Sequence, residues 1–326
     1  MAKIDKSFVK VRNLKKYFQT GTKIPFLKSS PAVKAVENVS FDVFKGETLG
    51  VVGESGCGKS TVARLLIQLI KPDAGEIIID GLAVEKRGGI STRDLRHRMQ
   101  MVFQDSYATL NPRMPIEESI AFGPISNGKK PSEAMLESKH VMDQVGLDPN
   151  IYLHRYPHEL SGGQRQRVNI ARALAMGPEV IILDEAVSAL DKSVEAQVLN
   201  LLTDLKSDLK LTYIFISHDL NVVKYISDKV MVMYLGEVVE YGTVEEVYHS
   251  PKHPYTEALL ASQPSMDPSR KLDTVPITGD PPNPINPPSG CKFHTRCPKV
   301  TDMCRTVNPN LQSTNVGNHL SACHLA

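Results

Sequence analysis

Single apolar positions alternate with charged ones over the first twenty residues. They return at Phe41 and Val43 and again at Leu49, Val51 and Val52, just ahead of a glycine cluster. Residues 8–52 therefore read as strand, turn and strand. From 60 to 70 the apolar residues Val62, Ala63, Leu65, Leu66, Leu69 and Ile70 recur at helical spacing until Pro72 stops them, which predicts a helix opening straight from the glycines. Residues 105–177 carry helical patterns broken by Pro112, Pro115, Pro124, Pro131, Pro149 and Pro157 and read as a mostly helical insertion. The runs 180–184 and 212–217 are nearly continuous in apolar or β-branched residues and flank a helical stretch over 194–209. Strand, helix, strand with such runs implies buried parallel pairing. Six prolines from Pro276 to Pro288 lead into a cysteine cluster, so a boundary is expected within ten residues of 250.

Composition narrows the class. Of 326 residues, 41% are apolar and 23% charged, as in soluble globular proteins, and the length suits one large core with a smaller appendage. The most apolar stretches, 180–183 and the Gln68-interrupted 65–70, fall far short of the roughly 18 consecutive residues a spanning helix needs. The first twenty residues lack the unbroken apolar centre of a secretory signal. A cytoplasmic protein that meets a membrane only through a partner is expected. With a net charge of +2, and a basic stretch over 86–98 diluted by glycines and Asp94, no nucleic-acid partner is expected.

Chemistry begins at the glycine cluster. Gly53, Glu54, Ser55, Gly56, Cys57, Gly58, Lys59 and Ser60 match G-x-x-x-x-G-K-S between a strand and a helix. Glycines there let backbone N–H groups converge on phosphate oxygens at a helix N-terminus, Lys59 pairs with the β/γ phosphates and Ser60 ligates Mg²⁺. Cys57 fills a variable position of the loop and has no task in phosphate binding. The strand 180–184 ends in Asp184 and Glu185, which suits one carboxylate near the magnesium and one beside the γ-phosphate. Ser161, Gly162, Gly163 and Gln164 open a second helix in an anion-binding arrangement.

Two phosphate-binding helix starts in one domain resemble the ATP-binding-cassette family, in which the signature helix of one subunit completes the ATP site of another. The resemblance implies a cassette of the α/β class. It would have a parallel-sheet core, an N-terminal antiparallel β subdomain, a helical insertion and a small C-terminal extension. It also implies a head-to-tail dimer that traps two nucleotides. By the same resemblance Gln104, after MQMVF, is similar to the Q-loop glutamine that senses Mg²⁺; Ser188, Ala189, Leu190 and Asp191 to the D-loop; and His218, after YIFIS, to the switch histidine. Tyr17 stands where the family places an adenine-stacking aromatic, and Thr61 follows Ser60 in the nucleotide-binding set. Glu185 would polarise the attacking water while His218 and Lys59 stabilise charge on the transferring phosphoryl group. Ala186 departs from the proline many cassettes carry, which loosens the turn that fixes Glu185.

The runs VFQDSYATLNPR, SPKHPYTEALLAS and PPNPINPPSGCKFHTRCP resemble the second ATPase of dipeptide and oligopeptide importers. Residues 1–250 are then the cassette and 251–326 the importer extension. Expected partners are a second homologous ATPase in a heterodimer, two transmembrane permeases and an external peptide-binding protein. The expected location is the cytoplasmic face of the membrane. Nickel and antimicrobial-peptide importers use closely similar ATPases, and soluble cassettes share the ATP motifs. Cys291, Cys297, Cys304 and Cys323 are spaced C-x5-C-x6-C-x18-C; in a reducing compartment this favours metal ligation over disulfides. Spacing alone leaves zinc and an iron–sulfur cluster both open. The resemblance implies a 4Fe–4S cluster on these four cysteines.

Overall fold

In the computed structural model, residues 7–20, 32–262, 279–314 and 317–326 are described. Contacts gather them into two units interleaved along the chain. One is drawn mainly from Val43–Thr48 and Ile79–Ser217, the other from Val9–Asp42, Leu49–Ile78 and His218–Ala326.

The first unit is built on three parallel strands, Met99–Val102, Val180–Asp184 and Thr212–Ile216, with Val180 opposite both Met99 and Thr212. All five residues of Val180–Asp184 and of Thr212–Ile216 are buried, as the unbroken apolar runs require of strands covered on both faces. The return between them is the helix Lys192–Leu209, stopped where Lys210 turns left-handed at φ 54°. The helical insertion comprises Ile116–Ser126, Pro131–Gln144, Pro149–Tyr152, a short 3-10 turn Pro157–Glu159 and Gly162–Leu174. Three of its six prolines begin elements instead of breaking them. Pro131, Pro149 and Pro157 stand in the first turn, where a missing N–H leaves no bond unmade. Pro124 lies within the helix Ile116–Ser126.

The second unit holds an antiparallel sheet in which Val9–Gln19 lies between Ala32–Val43 and Ala74–Ile79. Its other sheet pairs Thr48–Val52 in parallel with Lys229–Tyr234, Leu49 opposite Lys229. Glu237–Thr243 runs antiparallel to Lys229–Tyr234. The two-residue strand Leu320–Ser321 joins at Glu240 and Tyr241, so a segment of the C-terminal extension belongs to this sheet. The helix after the glycine loop is Lys59–Leu66, ending four residues before the apolar spacing predicts. Gln68 adopts φ 55°, the N–H of Leu69 turns back to the Arg64 carbonyl, and Leu69 is left 53% exposed. No helix among the described residues is long and apolar enough to cross a membrane.

Candidate nucleotide and cysteine sites

The buried strand Thr48–Val52 delivers the chain into the glycine loop. Two of its glycines are required sterically. A Cβ on Gly53 would lie 2.2 Å from the Met233 carbonyl oxygen, and one on Gly58 would lie 2.2 Å from that of Ala35, with Gly58 at φ 110°. Gly58 is the N-cap of Lys59–Leu66 and offers no side chain to the first turn, and it is at such a helix start, where Ser60 and Thr61 stand, that backbone N–H groups and the helix dipole favour an anion. Lys59 is only 5% exposed. Its ammonium donates to the carbonyls of Gly53 at 2.7 Å and Glu54 at 3.1 Å, so the loop curls around its own cation. Ser55 and Gly56 are exposed at the crest of the loop. Cys57 is buried; desolvation pushes its thiol up against the opposing pull of Lys59, as suits a packed residue rather than a reactive one.

Also in the second unit, the exposed His218 directly precedes Asp219, which caps the helix Leu220–Ile226 by accepting the Asn221 N–H at 2.9 Å. Tyr17 is half-buried and not a core residue. Its hydroxyl donates to the Glu37 carboxylate, the Lys34 ammonium lies 5.7 Å from its ring centroid, and burial with the Glu37 bond pushes the phenol up to about 12.

In the first unit, Asp184 is 4% exposed at the end of its strand. Glu185 follows in the left-handed region at φ 49°, a conformation rare for a non-glycine residue and characteristic of functional turns. Its N–H donates to the Ile216 carbonyl at 2.9 Å, and its own carbonyl accepts the Ser188 hydroxyl at 2.9 Å. Ala186 is buried behind it. The Gln104 amide donates to the Glu185 carboxylate at 2.8 Å. The two residues, 81 positions apart, are thus brought together.

The SGGQ segment forms a reciprocal cap on Gly162–Leu174. The Ser161 hydroxyl accepts the Gln164 N–H at 3.3 Å, and the Gln164 side-chain oxygen accepts the Ser161 N–H at 2.9 Å. Gly163 has a packing duty as well, since a Cβ there would come within 2.4 Å of Val194 on the helix Lys192–Leu209. Asp191 stands exposed before that helix without a side-chain cap bond.

Sequence reasoning missed how the phosphate loop is held from outside. The Glu54 N–H donates to the Tyr255 hydroxyl at 2.9 Å, and the Glu54 carboxylate takes both Arg296 Nη groups at 2.9 and 3.0 Å. These partners lie 201 and 242 positions away, and no local pattern signals them. Cys291, Cys297, Cys304 and Cys323 all line one small cavity together with His253 and Phe293. Burial, with the neighbouring thiols adding to it, pushes Cys291 up to about 11 and raises Cys297 and Cys323. Among the described residues, no group of three or more His, Cys, Asp or Glu side chains is set to hold a metal ion.

A parallel sheet, a glycine loop with a buried lysine, and a strand-end carboxylate pair with Glu185 bonded to a glutamine are the parts of a nucleotide-hydrolysing cassette. Residues 36–188 match the family ABC transporter, and the chain belongs to that family of ATPases. Residues 239–304 match a second family, Oligopeptide/dipeptide transporter, C-terminal region. The chain is 46% identical over 324 residues to the oligopeptide transport ATP-binding protein AppF of Bacillus subtilis, covering 98% of this chain and 97% of that protein. To the dipeptide transport ATP-binding protein DppF of Haemophilus influenzae it is 45% identical over 316 residues, covering 96% and 95%. Among solved structures, the ATP-binding cassette MJ0796, a dimer in a post-hydrolysis state with ADP and phosphate, superposes with a TM-score of 0.61 at 27% identity. That match covers 72% of this chain and 98% of the other.

Proposed function

We propose that this chain is the ATP-hydrolysing subunit of an importer of dipeptides or oligopeptides. The observation that carries the substrate class is the match of residues 239–304 to the oligopeptide/dipeptide transporter C-terminal region, supported by two relatives of nearly equal length named for oligopeptide and dipeptide transport. In this reading residues 1–250 are the cassette, with a helical part over about 105–177, and 251–326 the importer extension. Lys59 and the loop N–H groups bind the β/γ phosphates, and Ser60, Asp184 and Gln104 attend a Mg²⁺ ion. Glu185 orients the attacking water and His218 stabilises the charge that leaves with the γ-phosphate. Tyr17 stacks on the base. The Gln104–Glu185 hydrogen bond supports coupling between nucleotide occupancy and the general base.

Ser161, Gly162, Gly163, Gln164 and Asp191 serve the ATP held by a second, homologous ATPase. The pair works on two permeases at the cytoplasmic face of the membrane, with an external protein delivering the peptide. The four thiols suit a 4Fe–4S cluster. Four sulfurs line one shared cavity, and where burial raises the thiols of Cys291, Cys297 and Cys323 a cationic centre would be needed to make them thiolates. Bound there, a cluster would staple the proline-rich tail; iron-free, colourless protein from an anaerobic preparation would remove it.

The decisive test is ATPase activity of the complex purified with its membrane partners. Short peptides presented with the binding protein should raise the rate, while nickel should not. A chain that never associates with membranes and travels with ribosomes or DNA would sink the transport reading.

A further inference from the structure

The turn carrying Cys291 and Cys297 sends its intervening side chains toward the phosphate loop. Lys292 donates to the Leu235 carbonyl at 2.9 Å and pairs with Glu237 at 3.0 Å. The adjoining Gly236 N–H in turn donates to the Cys57 carbonyl at 2.9 Å. Phe293, 1% exposed, meets the rings of Tyr234 and Tyr255 edge-on at 5.4 Å each. Tyr255, itself 0% exposed, holds the Glu54 N–H. Arg296, its side chain 6% exposed, grips the Glu54 carboxylate with both Nη groups. The loop is therefore held at Glu54 and at Cys57 by residues more than 170 positions away.

A carboxylate at Glu54 is an odd neighbour for a loop that must attract polyanionic phosphate. Unpaired, it would repel the ligand: a unit charge about 10 Å away at an effective dielectric of about 20 changes affinity by about tenfold. The bidentate pair cancels that charge and fixes the peptide that also supplies a carbonyl to Lys59.

We propose that Arg296, with Tyr255, braces the phosphate loop from the C-terminal segment, and that neutralising and anchoring Glu54 makes Arg296 a positioning residue for ATP binding. This rests on the reading that the loop binds ATP, and the test separates the two. Affinity of the full chain for a fluorescent ATP analogue with Mg²⁺ is measured for wild type, Arg296→Gln, Arg296→Lys and the double variant Glu54→Gln/Arg296→Gln, alongside nucleotide-free thermal unfolding. Arg296→Gln should raise Kd by about tenfold, an effect that shrinks at high salt. The double variant should return to within about threefold of wild type, because the charge left behind is gone. Arg296→Lys, keeping charge without the fork, should fall between wild type and Arg296→Gln. Equal affinity for Arg296→Gln and wild type, or a double variant as weak as the single one, would overturn the brace; the latter would assign the loss to a loosened tail. Should Arg296→Gln not fold, a Kd for Arg296→Lys at least about tenfold above wild type would overturn the electrostatic role. Wild type that fails to bind the analogue would instead overturn the ATP reading.

Discussion

Glu185 concentrates the residue-scale chemistry: a left-handed backbone held by Ile216 and Ser188, and a carboxylate already bonded to Gln104. Glu185→Gln keeps the shape and removes the proposed base, so nucleotide should still bind while single-turnover hydrolysis falls by about a hundredfold or more. Unchanged hydrolysis would remove Glu185 from its role. Gly58 answers to backbone geometry. Gly58→Ala would place a methyl 2.2 Å from the Ala35 carbonyl at φ 110°, and thermal unfolding should show a loss of about 2–3 kcal/mol. Lys59, Ser60, Asp184 and Glu185 could be proposed from sequence because phosphate chemistry demands short, contiguous motifs. The Gln104–Glu185 contact could not, because 81 residues of chain separate the partners.

At the scale of elements, the cap on Gly162–Leu174 is self-contained, Ser161 and Gln164 satisfying each other. Ser161→Ala should cost about 1 kcal/mol in urea unfolding, and a cost near zero would show that the cap is not needed for the helix. The helix Pro254–Ala261 brings a pH effect through its own cap, His253, which is 1% exposed and accepts the Tyr255 N–H at 3.1 Å. Burial lowers this imidazole to about 4 from its ordinary 6.5. Above pH 6.5 neither the folded nor the unfolded chain protonates it. Between 6.5 and 4 the unfolded chain binds a proton the folded chain refuses, so stability falls as pH drops, by up to about 3 kcal/mol. His253→Asn should flatten that slope in unfolding midpoints taken from pH 7.5 to 4.5. Element boundaries were less legible than element types. The apolar spacing ran on to Ile70, but Gln68 turned left-handed and ended the helix at Leu66.

For the whole molecule, a signature cap that satisfies itself in the isolated chain leaves its service to a second cassette as the proposed source of turnover. ATPase activity of the purified chain should be low and rise more than linearly with protein concentration, or on adding its ATPase partner. Strictly linear, high activity in a monomer confirmed by light scattering would contradict the shared site. The sequence by itself determined the order of the elements, the buried parallel runs, the phosphate loop and the carboxylate pair, because each depends on residues a few positions apart. Only the tertiary structure decided that the C-terminal extension adds a strand beside Glu240, that four cysteines share one cavity, and that Arg296 and Tyr255 hold Glu54. Those contacts join positions tens to hundreds of residues apart. Burial and charge pairing select them only once the sheets have formed, so no local periodicity records them.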